Sequence, residues 1–490
     1  MARPVRRCVV AGTLMVALAL SLSVLAGGRQ PEGLVKNADT LFEQKNYREA
    51  AETYEKALDA GAGPEEYSHI YGRIIACKLR LRLFDEALKA ANTYVKRTRG
   101  TVRQARAERL AGNLYLRVPH WGTRAGGEFH RAQHKQGIRL RSWNYDKRHA
   151  VRHLEKARDL YARYDKETSI WQGMTKQDRE GWHEERIGCL FDLASAVSRF
   201  SIYSNNWYFW YSWWGERDEF RAQTAGEEDF DESHSHWQLR RKRPIGLRVD
   251  EDGNPIFPSR PAEYDSELSD DGKLLFLLGE VRGLDETENR KWAALSYYRQ
   301  AMLARARFGM DRLNSYSGLY HAGGERPLQE ELKDYNPWEL EDDETLALVG
   351  GHIRKVTLPD QFDVLKLLRS VKEDYVGSGV ADQAWYGVGL YYQTRQQYTR
   401  ALDEYRALRQ AEREKKWADQ AKTQIDRILA PQVRINNPGV QLPGRPARLQ
   451  LSYRNTEKVW FVAREIDVKG FLGEFRANVV DGKQNWQWSL

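Results

Sequence analysis

Apolar and polar residues alternate along this chain mostly with the three-to-four spacing of amphipathic helices, and the stretch from Trp385 to Leu408 shows it most clearly. There Trp385, Val388, Gly389 and Tyr392 fall on one helical face, and Ala401, Tyr405 and Leu408 fall on one face of a following helix. The small residues Gly389 and Ala401 stand where two helices can cross closely, with aromatic side chains filling the space beside them. The same classes recur near the start of the chain. Leu34, Ala38 and Leu41 precede Tyr47, Ala50, Tyr54 and Ala57, with Lys45-Asn46 as the turn. A second pair spans 65–96, with Tyr71, Ile74 and Ile75 before Phe84, Ala87, Ala91 and Tyr94.

Such a hairpin cannot bury its face alone and needs stacked neighbours. In spacing and residue class these units resemble tetratricopeptide repeats. The resemblance implies a mainly α fold, a TPR-like α-solenoid over residues 31–430. A third unit is split: Ala107, Leu110, Ala111 and Leu114 pair with a helix over 147–161 carrying Ala150, Leu154 and Ala157. Further helices are expected at 182–200, 273–281, 291–307 and 361–375, with a capping helix at 417–429 ended by Pro431. The stretch from Leu328 to Asp343 reads as a polar connector.

Two insertions interrupt the helical pattern, over about 117–146 and 201–262, and insertions in such stacks map to loops on one face. The first carries Trp121, Phe129 and Trp143, which either cover the side of the stack or line a binding face. In the second, Tyr203, Trp207, Tyr208, Phe209, Trp210, Tyr211, Trp213 and Trp214 crowd together with no single buried stripe. They serve either as a plug between repeats or as a partner surface, because flat rings give large contact area at low entropy cost. Trp207, Tyr208, Trp210, Trp213 and Trp214 are the candidate partner-binding residues. Nearer the end of this insertion, Asp252-Gly253 marks a hairpin turn between Leu247 and Val249 and Ile256 and Phe257.

Past Pro431 the period changes to two. Leu449, Leu451 and Tyr453 alternate with Arg448, Gln450 and Ser452, and 459–462 reads as a second strand of a short, incomplete antiparallel β-sandwich module over 431–490. A repeat array passing into PGRPARLQLSYRNTEKVWFVAREIDV resembles the N-terminal region of bacterial alpha-2-macroglobulin-like proteins. That resemblance implies an extracytoplasmic protease inhibitor, built in some members around a Cys-Gly-Glu-Gln-type thioester. Neither Cys77, followed by Lys78, nor Cys189, followed by Leu190, stands in such a motif.

Composition sharpens this picture. The 490 residues exceed one compact core, and 16 Trp and 25 Tyr do not suit a disordered chain. The formal charge of +8 falls to +5 once Arg3, Arg6 and Arg7 are set aside. Cations and anions are interspersed, which describes a solvated helical surface rather than a nucleic-acid or anionic-membrane site. Those three arginines precede an apolar run from Cys8 to Ala26, the pattern of a cleaved signal peptide over 1–26 or of an uncleaved anchor. The expected location is periplasmic or secreted, with inner-membrane anchoring at the N-terminus as the alternative. Cys77 and Cys189 read as buried free thiols, with a disulfide between them, which an extracytoplasmic compartment permits, as the alternative.

Signals for catalysis, metal or cofactor are weak. His183-Glu184 opens like a zinc-protease helix, but Ile187 stands where the second ligand belongs. His149 and His153 read as part of a charged helix face, and His234 and His236 lie beside acids without a third ligand at fixed spacing. No P-loop, dinucleotide fingerprint or nucleophile elbow occurs. The expected role is a non-enzymatic extracytoplasmic scaffold without cofactor or metal, whose partners are proteins or peptides such as extracytoplasmic proteases or envelope proteins. The competing expectation is a stand-alone envelope adaptor that binds a peptide or glycan through the aromatic insertions.

Overall fold

A computed structural model describes residues 31–133, 135–167, 176–198, 231–232, 247–310, 328–411, 413–436, 444, 446, 448–462, 467–470 and 472–473. The protein is mainly helical with a few small antiparallel sheets. Five helices open it: α1 (Pro31–Glu43), α2 (Tyr47–Asp59), α3 (Tyr67–Arg80), α4 (Phe84–Arg97) and α5 (Arg103–Arg117). Strands β1 (Trp121–Ala125), β2 (Glu128–Arg131) and β3 (Ile138–Arg141) follow, then α6 (Trp143–Lys166), α7 (Lys176–Val197) and the short strand β4 (Asp231–Glu232). Helices α8 (Asp270–Leu284), α9 (Lys291–Phe308) and the short α10 (Leu328–Leu332) lead to a hairpin of β5 (Glu344–Val349) and β6 (His352–Thr357). The chain continues through α11 (Val364–Asp374), α12 (Ala381–Thr394), α13 (Tyr398–Gln410) and α14 (Lys415–Leu429) to the ladder of β7 (Gln432–Ile435) and β8 (Leu451–Arg454).

Three turns are copies of one another. Lys45, Arg82 and Gln396 each adopt a left-handed conformation, with φ of 65°, 60° and 59°. The residues after them, Asn46, Leu83 and Gln397, share φ near −80° and ψ of 61°, 62° and 63°. Their N–H groups reach back to the carbonyls of Leu41, Lys78 and Tyr392, closing a Schellman turn each time. The N–H groups of Ala50, Ala87 and Ala401 donate to the carbonyls of Asn46, Leu83 and Gln397 and start the next helix. Each alanine is fully buried, because any larger side chain there would force the paired helices apart.

Neighbours in sequence are neighbours in space. Each long helix from α1 to α9 packs on the next, as do α11 to α14, and α9 packs on α11 across the β5–β6 hairpin. The core follows as a succession of clusters: Leu34 to Cys77, then Ile75 to Ala150, then Ala105 to Leu303, then Leu247 to Ile428. Cys77 and Cys189 are free and buried in separate clusters, and burial pushes the Cys77 thiol up to about 11.

Several expectations need correction. Around the first insertion, expected over about 117–146, α5 ends at Arg117 and α6 begins at Trp143, with β1, β2 and β3 between them. The segment after Asp343 holds the β5–β6 hairpin, turned by Gly350 and Gly351 at φ of 58° and 86°. Arg395, 1% exposed, ties that hairpin to α12: Nη1 donates to the Glu341 carbonyl at 2.8 Å, and Nη2 to the Glu344 carbonyl and the Tyr391 hydroxyl. Asp250 and Asn254 pair across the expected 252–253 turn, and Leu247 joins Val349 in a parallel bridge.

The β-module also differs. Among the described residues it is one two-stranded ladder, and 459–462 forms no strand: Trp460 is 87% exposed and Val462 77%. Asn455 stands where β8 ends. Left-handed at φ 55°, it turns the chain at the end of β8, and its Nδ2 donates to the carbonyls of Ile428 and Ala430 at the end of α14.

Candidate interaction surface at the insertion sheet

The first insertion folds because of its glycines. Gly126 and Gly127, both at positive φ, make the two-residue turn between β1 and β2. At Gly122 a Cβ would stand 2.4 Å from the His130 carbonyl oxygen and 2.7 Å from the Phe129 ring, so only glycine admits this pairing. Directly opposed residues of an antiparallel pair share a face. Register therefore places Gly122, Arg131 and Leu140 on one side and Trp121, Thr123, His130, Arg139 and Arg141 on the other.

On the first side Arg131 and Leu140 are each 3% exposed, whereas Ile138 on that same side is 53% exposed; on the other side Thr123 is 1% exposed. Arg131 forms a bidentate pair with Asp146 in the first turn of α6, Nη1 to Oδ2 at 2.7 Å and Nη2 to Oδ1 at 2.9 Å. Ser142 and His120 also bond to Oδ2 of this fully buried carboxylate, at 2.8 and 2.9 Å. Arg131 donates further to the Pro119 carbonyl and to Asp85 at the start of α4. A charge pair this deep is retained only when its remaining hydrogen bonds are met, as they are here. It fixes the sheet to the helices.

The two insertions meet in this sheet. Strand β4, from the second insertion, pairs antiparallel with β3 through Leu140–Glu232 and Arg141–Asp231, giving the order β2-β1-β3-β4. At the other end of the intervening chain, Lys147 donates to the Val197 carbonyl at 2.9 Å and pairs with Asp270 at 3.3 Å. Ser198 and Asp231, which bound that chain, are thus both held beside the first turn of α6. The candidate residues Trp207, Tyr208, Trp210, Trp213 and Trp214 lie between them in the chain, outside the described residues; His234 and His236, which follow Glu232, are outside the described residues too. Of the first insertion's aromatics, Trp121 is 39% and Trp143 38% exposed, and Phe129 is half-buried over Gly122.

Behind the sheet, α5 and α6 enclose a stacked aromatic column. Tyr115 stacks on His149 at 5.0 Å and on His153 at 5.7 Å, and Tyr145 packs tilted against His149 at 4.2 Å. Burial, helped by the charges of His153 and Arg152, pushes His149 down to about 4, so it is neutral at pH 7. Burial opposes ionisation of Glu108, but hydrogen bonds from His153, Lys156 and Gln104 hold its carboxyl below the usual range. The two histidines therefore pack between helices instead of lining a solvated face. His183 bonds to the Leu284 carbonyl at 2.6 Å, which joins α7 to the end of α8.

The sheet is tied to α4 and α6 through Arg131, and Trp121, which pairs with Arg141 across β1 and β3, is 39% exposed. Among the described residues no three His, Cys, Asp or Glu side chains are grouped to hold a metal ion, and no helix is long and apolar enough to cross a membrane. Sequence reasoning missed Arg131 and Asp146, which look like any surface charges in a chain rich in them. The Gly126-Gly127 pair was the signal that could have found the hairpin. A comparison with protein-family models finds no match, and a comparison with curated proteins finds none either.

Proposed function

We propose that this protein is a non-enzymatic extracytoplasmic scaffold that binds protein or peptide partners, with its helices forming a TPR-like α-solenoid. One observation carries the reading: the identical turns at Lys45, Arg82 and Gln396, each followed by a buried alanine, in helices that pack on their sequence neighbours. Repetition of one hairpin extends a surface without enclosing a catalytic pocket, which is how solenoids serve recognition. The union of both insertions in one sheet supports a partner surface there, with Trp121 and Trp143 partly exposed. Export rests on the arginine-led apolar leader. The link to alpha-2-macroglobulin-like protease inhibitors rests on the passage into the period-two segment after Pro431. The second reading, a stand-alone envelope adaptor for a peptide or glycan, is favoured by the same joined sheet.

The test replaces Trp207, Trp210, Trp213 and Trp214 by alanine in the exported protein and compares in-cell crosslinked partners and melting temperature with the parent. A lost adduct at unchanged melting supports the binding surface. A retained adduct, or a melting temperature lowered by several degrees, assigns these residues to the core and overturns it. An immunoblot of the native product separates the two readings: a band several times heavier than this chain favours the inhibitor.

A further inference from the structure

Two arginines meet on one face of α8 with no carboxylate to separate them. Arg260 comes from the loop before this helix, and its guanidinium lies against the backbone at Gly279, where a Cβ would stand 2.3 Å from Cζ and 2.5 Å from Nη2. Arg282 follows three residues later in α8, on the same side. Its guanidinium sits 4.3 Å over the Tyr297 ring of α9, and Nη1 donates to Gln300 Oε1 at 2.8 Å. Gln300 donates in turn to the Gln361 carbonyl at 2.7 Å, and Gln361 to the Pro258 carbonyl at 3.3 Å. This chain of bonds ties the loop that carries Arg260 to the place where Arg282 is held.

Like charges so placed repel, and the surroundings supply no counter-charge. Among the described residues neither guanidinium pairs with a carboxylate. Burial, with the like charge of Arg260 added to it, holds Arg282 below its usual range, whereas Arg106, Arg109 and Arg369, each beside an acid, are raised. The end of α8 does not fill the gap. Its Arg282 and Leu284 carbonyls are already met by Arg290 Nη2 at 3.0 Å and by His183, and Arg290 brings a third cation. Arg260 is exposed and Arg282 partly so, which leaves both open to solvent.

We propose that Arg260 and Arg282 together form a site for one oxyanion, which accepts hydrogen bonds from both guanidiniums beside the Tyr297 ring. Paired guanidiniums serve a carboxylate and a phosphate alike. The anion is therefore either the acidic side chain of a protein partner, a source that rests on the partner-binding reading above, or free phosphate, which does not rest on it.

Isothermal titration of the full chain at low salt tests this with inorganic phosphate, acetyl-Ala-Glu-Ala-amide and acetyl-Ala-Gln-Ala-amide. Phosphate binding alone identifies a free ion, the glutamate peptide alone identifies a partner's side chain, and both binding shows a site open to either. Arg260→Gln and Arg282→Gln are each expected to weaken the bound anion about tenfold, while Arg48→Gln, an exposed position on α2, leaves it unchanged. Arg260→Gln removes a like charge from Arg282 and is expected to keep or raise the melting temperature, so its loss of binding is not a folding defect. No heat from either anion up to about 10 mM, equal heat from the two peptides, affinity unchanged in Arg260→Gln, or an equal loss in Arg48→Gln overturns the proposal. Such a failure leaves the partner surface at the insertion sheet standing, because the tryptophan replacements that test it touch neither arginine.

Discussion

Gly389 in α12 lies against the ring of Tyr405 in α13, so close that a Cβ on Gly389 would stand 2.6 Å from Cε1 of that ring. The ring has little freedom to move. It is fully buried, and its hydroxyl donates to Gln393 Oε1 at 2.8 Å. This contact sets how closely the two helices of the hairpin approach.

Gly389→Ala is therefore expected to destabilise the protein by about 1–3 kcal/mol, through overpacking that outweighs the better helix propensity of alanine. Gly72, in the interior of α3, has open space where a Cβ would go. Gly72→Ala should stabilise by about 0.5–1 kcal/mol. Thermal melting of both variants checks the pair, and a neutral Gly389→Ala would show that the contact does not constrain the hairpin.

The Arg131–Asp146 pair predicts a non-additive mutant cycle. Arg131→Met leaves a buried carboxylate without its cation and should cost about 3–5 kcal/mol, whereas Arg131→Met with Asp146→Leu should cost clearly less. Urea denaturation followed at the insertion sheet measures the cycle. Additive losses would mean that the two charges do not act as a unit.

His149 gives the protein a pH dependence of stated direction. Its folded value of about 4 lies below the ordinary 6.5, so between those limits the unfolded chain binds a proton that the folded protein does not. Stability contributed by neutral His149 is thus complete above pH 6.5 and is lost as pH falls toward 4, by at most about 3 kcal/mol. The facing groups are Tyr115, Tyr145 and His153, with Arg152, Arg148 and Asp146 along its own helix. Melting temperature measured across pH 4 to 7 should fall more steeply with acid in the parent than in His149→Gln, and parallel curves would remove His149 as the cause.

The helices were legible in the sequence because their signals are local, although not all their bounds: the helix expected over 147–161 runs Trp143–Lys166 and the one expected over 182–200 runs Lys176–Val197. Spacing of Ala50, Tyr54 and Ala57, or of Ala401, Tyr405 and Leu408, says which face is buried whatever it meets, and Lys45-Asn46 marks its turn without help from elsewhere. The period-two run at Leu449 to Tyr453 likewise announced β8, although not its partner. Gln432–Ile435 takes that place instead of 459–462, and Asn455 at the end of β8 bonds to the end of α14, a contact that exists only once both have folded. The same distinction holds at the insertions. A two-residue strand such as Asp231–Glu232 carries no pattern of its own, and only a partner about ninety residues away in the chain makes it one. Nor does a charge declare its burial: Arg131, Asp146 and Arg395 read as surface residues until backbone carbonyls and opposite charges surround them. Sequence alone determined where this chain coils into helices. Tertiary structure decided which insertions meet and which charges are enclosed, because strand pairing and desolvation depend on residues far apart along the chain.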